Sequence, residues 1–554
     1  MALPNKGDLV KTLSIRDVIG PIMIGTSSSH TAGALRIALM TRQMLNARPK
    51  TVEFRLYGSF SHTYQGHGTD KALVAGMLGL APDDERIRDS FGLAHEQGLN
   101  FRFTPLPEVE VKHPNTVEIL VEDEQESHLC VRGESIGGGA AVISALNGVE
   151  VHLTGEHHSI VTEQRDVQGV LAHITARLNA ANLNIASVRL FRTKKGQTAY
   201  TIIEIDEDIP SCITEEILTN PNIRSVNIIH SDKASADIER RSEDKREIAT
   251  WHGKTLPLFD EVDFADGNTL LAYCEKECIP ISDAICIRER ALLVRDGMRT
   301  DSTSEYLDRA LEVMRASALE PIKHPRPSMG GLIGGEADKI NRLWESGIGL
   351  RSELITKAAM YAMAVLETNA SMGRIVAAST AGSSGVIPGV LFALKDTHDF
   401  THDQLHRALA NAAAIGYLIT RNATVAGAEG GCQAEVGSAS AMAASAACQL
   451  LGGSPKQCFS AASIALSGLM GLVCDPIAGL VEAPCQKRNA TGAVNALVSA
   501  QIALAGCSDL VDFDQTVEAM YRVGRALPFE LRESALGGLA ATPAACAFCE
   551  SCHK

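Results

Sequence analysis

Residues 429–490 read EGGCQAEVGSASAMAASAACQLLGGSPKQCFSAASIALSGLMGLVCDPIAGLVEAPCQKRNA. Three cysteines of this stretch stand in settings unlike the others. Cys432 follows Gly430 and Gly431, Cys474 precedes Asp475 and Pro476, and Cys485 follows Pro484. Glycine and proline mark turns and helix ends, where a side chain can leave the packed core and backbone N–H groups lie free. Cys448 and Cys458 lie instead in alanine-rich, helix-like runs and read as small core residues. Cys432, Cys474 and Cys485 therefore form one constellation, spaced C-x41-C-x10-C. Two readings fit it. Three thiolates suit an iron–sulfur cluster that keeps one iron open for substrate. Alternatively, all three are buried structural thiols, and spacing alone favours this second reading because wide cysteine spacings carry little information.

The words around those cysteines shift the balance. EGGCQAEVGSASAMAA, GLVCDPIAGLVEAPCQKRNA, the upstream NASMGRIVAASTAGSSGVIPG and the C-terminal RESALGGLA resemble the catalytic domain of iron–sulfur L-serine dehydratases. The similarity covers nearly all of the last 300 residues, with the motifs in the family's order. It implies a [4Fe-4S] cluster held by Cys432, Cys474 and Cys485. The chain closes on GGLAATPAACAFCESCHK, with Cys546, Cys549 and Cys552 spaced C-x2-C-x2-C. Some relatives fold a C-terminal cysteine back onto the open iron, and Cys546, six residues after Ala540, takes that role here. A three-cysteine tail departs from the family's single cysteine. Read alone, it could start a second cluster, but no fourth ligand lies nearby.

At 554 residues the chain is too long for one core, so two to four domains are expected. Composition is globular, with 45% hydrophobic and 21% charged residues, and aromatics at only 4% point to helices packed through small residues. A formal net charge of −15 argues against nucleic acid as a partner, since phosphate binding needs a basic face. The N-terminus lacks the apolar region of a signal peptide, and no run of 18 apolar residues predicts a membrane span. A cytoplasmic protein is expected, and its 14 cysteines read as reduced thiols and cluster ligands rather than disulfides.

Upstream, residues 14–38 read SIRDVIGPIMIGTSSSHTAGALRIA: an apolar run, a polar knot from Gly25 to His30, then a helical pattern from Thr31. Ser27, Ser28 and Ser29 stand where a helix N-cap would, beside N–H groups that favour an anion. A second knot, YGSFSHTYQGHGTDK at 57–71, carries His62, His67, Thr69 and Asp70 between glycines. Two histidine-bearing knots between apolar segments read as two loops of one site, with no metal-ligand spacing among them. Gly137, Gly138 and Gly139 form a turn and not a phosphate loop. SSSHT, GHGTD, HPN and SIGGG resemble the beta domain of the same dehydratases, a separate subunit in many members and fused here.

Residues 150–230 read as strand EVHLTGEHH, helix, hairpin around Lys194–Gly196, short helix CITEEILTN and strand IRSVNIIHS. This β-α-β-β-α-β order is ferredoxin-like, and the D-x-x-G-V before the first helix resembles an ACT domain. In such domains the loop matching Asp166 to Gly169 often binds an amino acid at a dimer interface; a purely dimerising module is the other reading, and a homodimer is expected. The expected architecture is thus multidomain: an N-terminal α+β domain (1–148), a ferredoxin-like ACT domain (149–232), a charged linker (233–256) and a C-terminal all-α catalytic domain (257–554). Cys274 and Cys278, four apart on one helix face, fall outside the cluster motifs.

The resemblance implies deamination of L-serine to pyruvate and ammonia. An open iron takes the hydroxyl as a Lewis acid, and a side-chain base removes the α-proton. The base should come from another segment, with His30 ahead of His67 and His62 third. An unperturbed imidazole titrates near neutrality, and an active site shared by the N-terminal and helical domains follows. Ser28, Ser29 and Thr31, with Thr380, Gly382, Ser383 and Ser384, are the candidate substrate-binding residues, because hydroxyls and small residues let N–H groups reach a carboxylate. L-Cysteine desulfidase on the same scaffold and a non-catalytic amino-acid sensor are the alternatives. The beta-type module favours the dehydratase over the first, and the three cluster cysteines argue against the second. Lys487 beside Cys485 lacks the phosphate cup of a pyridoxal enzyme.

Overall fold

The computed structural model describes residues 12–205, 207–231, 250–251, 254–507 and 510–552. The expected linker at 233–256 falls mostly outside them. By its internal contacts the chain divides into two units: residues 24–239, and residues 1–23 together with 240–554. The first is α/β and the second is helical, as the sequence predicts.

The α/β unit holds two sheets. In the six-stranded sheet the strand Pro49–Tyr57 runs parallel to Asn100–Leu106, in the register Thr51 to Asn100. A parallel pair needs a crossover, supplied here by the helices Gly58–Thr63, Thr69–Met77 and Ser90–Glu96. The remaining strands, Asn115–Asp123, His128–Gly137, Ala140–Leu146 and Val149–Leu153, add on antiparallel. Gly138 and Gly139, at φ 59° and 79°, make the tight hairpin turn that favours left-handed residues. Helix Ala34–Gln43 crosses this sheet where Gly133 leaves room; a Cβ there would stand 2.3 Å from Ile37 Cγ2.

The second sheet has strands His158–Arg165, Ile185–Arg192, Thr198–Ile205 and Ile223–Ile229 in spatial order fourth, first, third, second, all antiparallel. Helices Val170–Ala180 and Cys212–Leu218 bury Val170, Ile174, Leu178, Ile213 and Ile217 against Ile160, Ile203 and Val226. One expectation is corrected. EVHLTGEHH is not a single strand: Val149–Leu153 closes the six-stranded sheet, and His158 opens the four-stranded one. Gly155, at φ 65°, turns the chain between them.

In the helical unit, Ser438–Leu450 is buried on all sides over residues 438–448 and packs among the helices His402–Asn422, Pro455–Gly468 and Cys485–Leu504. Alanine and serine permit that close approach, and a helix apolar all round belongs in a core. The unit is not wholly helical, since Arg374–Val376 is a strand paired with the one starting at Ile22. The N-terminal segment also belongs here. Ser14 Oγ and Ile15 N donate to Glu289, Arg288 Nη1 donates to Leu13 O at 2.7 Å, and Gly20 N donates to Ala377 O at 2.7 Å. Cys274 is buried in helix Gly267–Glu277, whereas Cys278 sits past its end as a left-handed cap, exposed. Among the described residues no helix is long and apolar enough to cross a membrane.

Candidate active site

In the helical unit the chain enters the site through Gly431, at φ 74°, where a Cβ would stand 3.0 Å from Leu472 O. Cys432 then caps a π-helical turn, Gln433–Gly437. Such wide turns concentrate at functional sites. Gln433 anchors this one, accepting from Gly471 N at 2.8 Å and donating to Met520 O at 3.1 Å. Cys474 lies in an extended segment beside RESALGG: its N donates to Leu531 O and its O accepts from Glu533 N, at 2.9 and 2.8 Å. Cys485 opens helix Cys485–Leu504 after Pro484. One turn on, Arg488 donates to Val473 O at 2.8 Å and pairs with Asp475 at 2.7 Å.

These groups interact electrically. Burial, then Glu435, pushes the Cys432 thiol up to about 12, partly offset by Arg488. Burial raises Cys474 and Cys485 well above the usual thiol range, reinforced by the other members of the group: Glu435 and Glu533 act on both, and Cys432 on each. Glu435 accepts from Thr380 Oγ1 at 2.8 Å, with Cys474 Sγ 3.8 Å from its other oxygen. Burial, then Glu435, pushes Glu533 up to about 8. Gly427 stands against both carboxylates, since a Cβ there would lie 2.6 Å from Glu435 Oε2 and 3.2 Å from Glu533 Oε2. Cys432 and Cys474 are buried, Cys485, Glu435 and Glu533 are half-buried, and the five acidic groups gather beside one arginine. Cys448 and Cys458 are buried and interact with each other.

Crowded acids with so little compensating cation are shifted towards their protonated forms, and a bound cationic metal group would take the place of those protons. Among the described residues no cluster of His, Cys, Asp and Glu converges on a single metal ion. A polynuclear iron–sulfur group asks for something different, because its thiolates are distributed over several irons. The donor set of Cys432, Cys474 and Cys485 fits that kind of group.

The loop 377–385 lies against the same centre. Thr380 contacts Glu435, and a Cβ on Gly382 would stand 3.3 Å from Glu435 Oε1. Asn489 ties the loop to the Cys485 helix, donating to Gly382 O and Cys485 O at 2.8 and 2.9 Å and accepting from Gly385 N at 3.0 Å. Ser383 and Ser384 are fully buried, and the Ser384 hydroxyl donates to Ala381 O at 2.7 Å. So Thr380 and Gly382 meet the centre, while the two serines serve the loop itself. Glu482, between Cys474 and Cys485 in sequence, accepts from Ser328 Oγ, Gly330 N and Leu332 N at 2.6, 2.7 and 3.0 Å, fixing the glycine-rich loop that starts at Ser328.

Cys546 is exposed, its thiol 3.9 Å from Ala540 O, whereas Cys432 and Cys474 are buried and Cys485 half-buried. The side chains of Cys549 and Cys552 lie outside the described residues.

In the α/β unit the first knot is also a π-helical turn, Ser28–Gly33, capped by Ser27. His30 is buried in it. Nδ1 lies 2.9 Å from Ser29 Oγ, and Nε2 lies 2.9 Å from Ser59 Oγ. Its ring stands 4.4 Å from the buried His67, tilted by 49°, and 5.3 Å edge-on from Phe60. Burial, then His67, holds His30 well below the usual imidazole range, so it is neutral at neutral pH. Thr31 Oγ1 donates to His67 O at 2.8 Å, joining the two knots as the sequence predicts. Ser28 is buried on the same turn. His62 is not drawn in; it is exposed on helix Gly58–Thr63. Burial pushes Asp70 up to about 6.

Asp166 accepts from Gly196 N at 3.1 Å and pairs with Arg192 at 3.3 Å, joining the 166–169 loop to the 194–196 hairpin. Gly169, at φ 92°, caps the following helix with open space around it.

Sequence reasoning missed Glu533, Ser59, Arg488 and Asn489. Glu533 sits within the recognised RESALGGLA, but its left-handed backbone, φ 58°, and its fold-back onto Cys474 are tertiary facts. Arg488 and Asn489 carried a usable signal, one turn after Cys485 on the same helix.

Comparison with known proteins agrees with this layout. The serine dehydratase alpha chain family matches residues 230–540 and the serine dehydratase beta chain family matches residues 14–100. A probable L-serine dehydratase alpha chain of Bacillus subtilis is 44% identical over 284 residues, 50% of this chain and 92% of its own length. The probable L-serine dehydratase beta chain of the same organism is 40% identical over 217 residues, 39% of this chain and 98% of its own. The L-serine dehydratase of Streptomyces coelicolor is 30% identical over 544 residues, 95% of this chain and 98% of its own. The chain belongs to the serine dehydratase family, with alpha-type and beta-type regions fused.

Proposed function

We propose that this protein is a lyase that deaminates L-serine to pyruvate and ammonia by dehydration, using a [4Fe-4S] cluster held by Cys432, Cys474 and Cys485. The family membership supports the reaction class. The observation that carries the cofactor is the convergence of three thiols with Glu435 and Glu533, Cys474 Sγ standing 3.8 Å from Glu435 Oε2. Such a cluster, with one iron left without a protein thiolate, supplies a Lewis acid for a poor hydroxide leaving group. Cys546 is the proposed tail ligand that would cap that iron at rest and yield it to substrate.

The protein's own groups have distinct tasks in this reading. Thr380 and the N–H groups around Gly382 orient the substrate carboxylate beside Glu435, with Ser383 and Ser384 holding the loop in shape. Glu435 stays positioned through Thr380, and Arg488 offsets the negative charge gathered by deprotonated thiolates. His30 is the proposed base, with His67 second and His62 third. Neutral His30 can accept a proton at one ring nitrogen while the other donates to Ser29 or Ser59. Ser28, Ser29 and Thr31 are proposed to assist substrate binding. The four-stranded sheet with its helices is proposed to be an ACT domain that binds an amino acid near Asp166 and Gly169, in a cytoplasmic homodimer.

An anaerobic visible spectrum of the purified protein, followed by L-serine addition, tests the reading. A broad iron–sulfur band that shifts with serine is expected. A colourless protein with full activity would overturn the cofactor assignment.

A further inference from the structure

Away from the thiol centre, the helical unit contains a cavity of about 190 Å3. At roughly 30 Å3 per water in the liquid, that is room for about six waters, enough for a small metabolite and too little for a nucleotide. Its polar wall carries charges of both signs: Asp283, Glu289 and Asp403 against Arg290 and Arg407. Arg290 stacks on Trp251 at 4.5 Å and reaches Asp301 at 3.5 Å, and Arg407 pairs with Asp403 at 3.2 Å. Asp283 N donates to Pro280 O at 3.2 Å, and its carboxylate has no hydrogen-bond or ion-pair partner among the described residues. Leu293 and Leu307 line the rest with apolar surface.

This balance selects a ligand class. Glu289 is already paired with the buried Arg288 at 3.3 Å, which leaves Asp283 and Asp403 facing Arg290 and Arg407; that even balance disfavours a dicarboxylate or a phosphate on one side and a bare amine on the other. A zwitterion places its ammonium on Asp283 and its carboxylate on an arginine, and a small apolar or hydroxylated side chain fits the remaining space.

The wall also has a mechanical outlet. Glu289 holds Ser14 Oγ and Ile15 N, and Thr303 Oγ1 donates to it at 3.3 Å. Five residues on from Ile15, Gly20 donates to Ala377 O, and Ala377 N donates to Pro21 O at 3.1 Å. Ala377 begins the loop whose Thr380 holds Glu435. Cavity, N-terminal segment, loop and thiol centre are therefore one chain of direct contacts within a single unit.

We propose that this cavity is a second binding site, for a small α-amino acid, and that its occupancy modulates turnover through the 14–21 segment. The binding half is independent of the proposed reaction; the modulation half rests on it.

The sequence contains two tryptophans, so a Trp344→Phe variant leaves Trp251, on the cavity wall, as the sole indole reporter. Glycine, L-alanine and L-serine are titrated into it, with acetate and methylammonium as half-ligand controls. A saturable change in Trp251 emission with at least one amino acid, surviving Cys474→Ser and weakened at least tenfold by Asp283→Asn or Arg407→Gln, is expected. No change with any amino acid, an equal response to acetate or methylammonium alone, or a response that persists undiminished in both wall variants would overturn the site. Retention of native circular dichroism by the wall variants excludes misfolding as the cause. For the modulation half, glycine added to the cluster-loaded enzyme should change kcat/KM for L-serine at least twofold, and Asp283→Asn should abolish that change while retaining basal turnover. Binding without any kinetic effect would overturn the modulation and leave the site.

Discussion

Two π-helical turns, Ser28–Gly33 and Gln433–Gly437, carry the candidate chemistry, and they solve burial in opposite ways. Around the first, the buried groups are imidazoles and hydroxyls. His30 meets Ser29 and Ser59, and Thr31 meets the His67 carbonyl, so desolvation makes the imidazole neutral at little cost. Around the second, the groups are thiols and carboxylates, buried or half-buried, and desolvation raises every one of them towards its protonated form. The same backbone device therefore holds a neutral imidazole in one unit and a group of acids in the other, which are the features behind the proposed base and the proposed cluster site. Burial alone does not define function; the sign of the charge that is penalised does.

The largest effect is expected at the thiol turn. Cys474→Ser, Cys432→Ser and Cys485→Ser should each lose most of the iron and reduce turnover by more than about 100-fold, beyond what loss of a group that merely orients a ligand costs, while Cys448→Ser keeps both. Iron content and activity of anaerobically purified protein decide this. Full iron loading of Cys474→Ser would erase the contrast between the two turns.

Next comes the imidazole turn. His30→Ala should keep iron and the serine-induced spectral shift but lose turnover and exchange of the α-proton with solvent by about 10²–10⁴-fold, the usual worth of a general base. If His67→Ala shows that pattern instead, the two histidines trade roles. If neither does, the neutral turn is structural.

These two turns differ in how far they could be read. Gly431 before Cys432 and Pro484 before Cys485 announce chain reversals, and a cysteine at a reversal stands out from one in SASAMAASAACQLL. SSSHT and GHGTD were legible as partners, and Thr31 donating to His67 O joins them. Ser59 was invisible because no local pattern says that a serine 29 residues from His30 will meet its ring. Glu533 was hidden for the same reason, nearly 100 residues from Glu435. The hairpins around Lys194–Gly196 and Gly138–Gly139 followed from turn chemistry, which is local. The division of EVHLTGEHH between two sheets did not, because both halves alternate like strands and the choice of sheet is made by distant partners.

The smallest effect concerns stability. Asp70 titrates near 6 when folded against 3.8 as its ordinary value, so the folded state binds its proton more tightly between those limits. Its contribution is complete below pH 3.8 and is lost as pH rises through 6, leaving a penalty of up to about 3 kcal/mol at neutral pH. Asp70→Asn, which can still accept from Lys71 N, should raise the urea midpoint at pH 8 and leave it unchanged near pH 4. An equal gain at both pH values would mean that burial does not raise this carboxyl, and that the acid of the imidazole knot departs from the rule the acids of the thiol turn follow.

The N-terminal segment has a temporal consequence. Ser14 is bonded to a residue 275 positions later. At the ribosome's ~5–20 residues per second, those partners emerge roughly 14–55 seconds apart. Before that interval ends the intervening α/β unit, complete at residue 239, has the residues it needs to fold, whereas the helical unit still lacks the far wall that its first ten described residues join. Synthesis thus imposes an order: the middle of the polypeptide can mature first, and the beginning waits for the end.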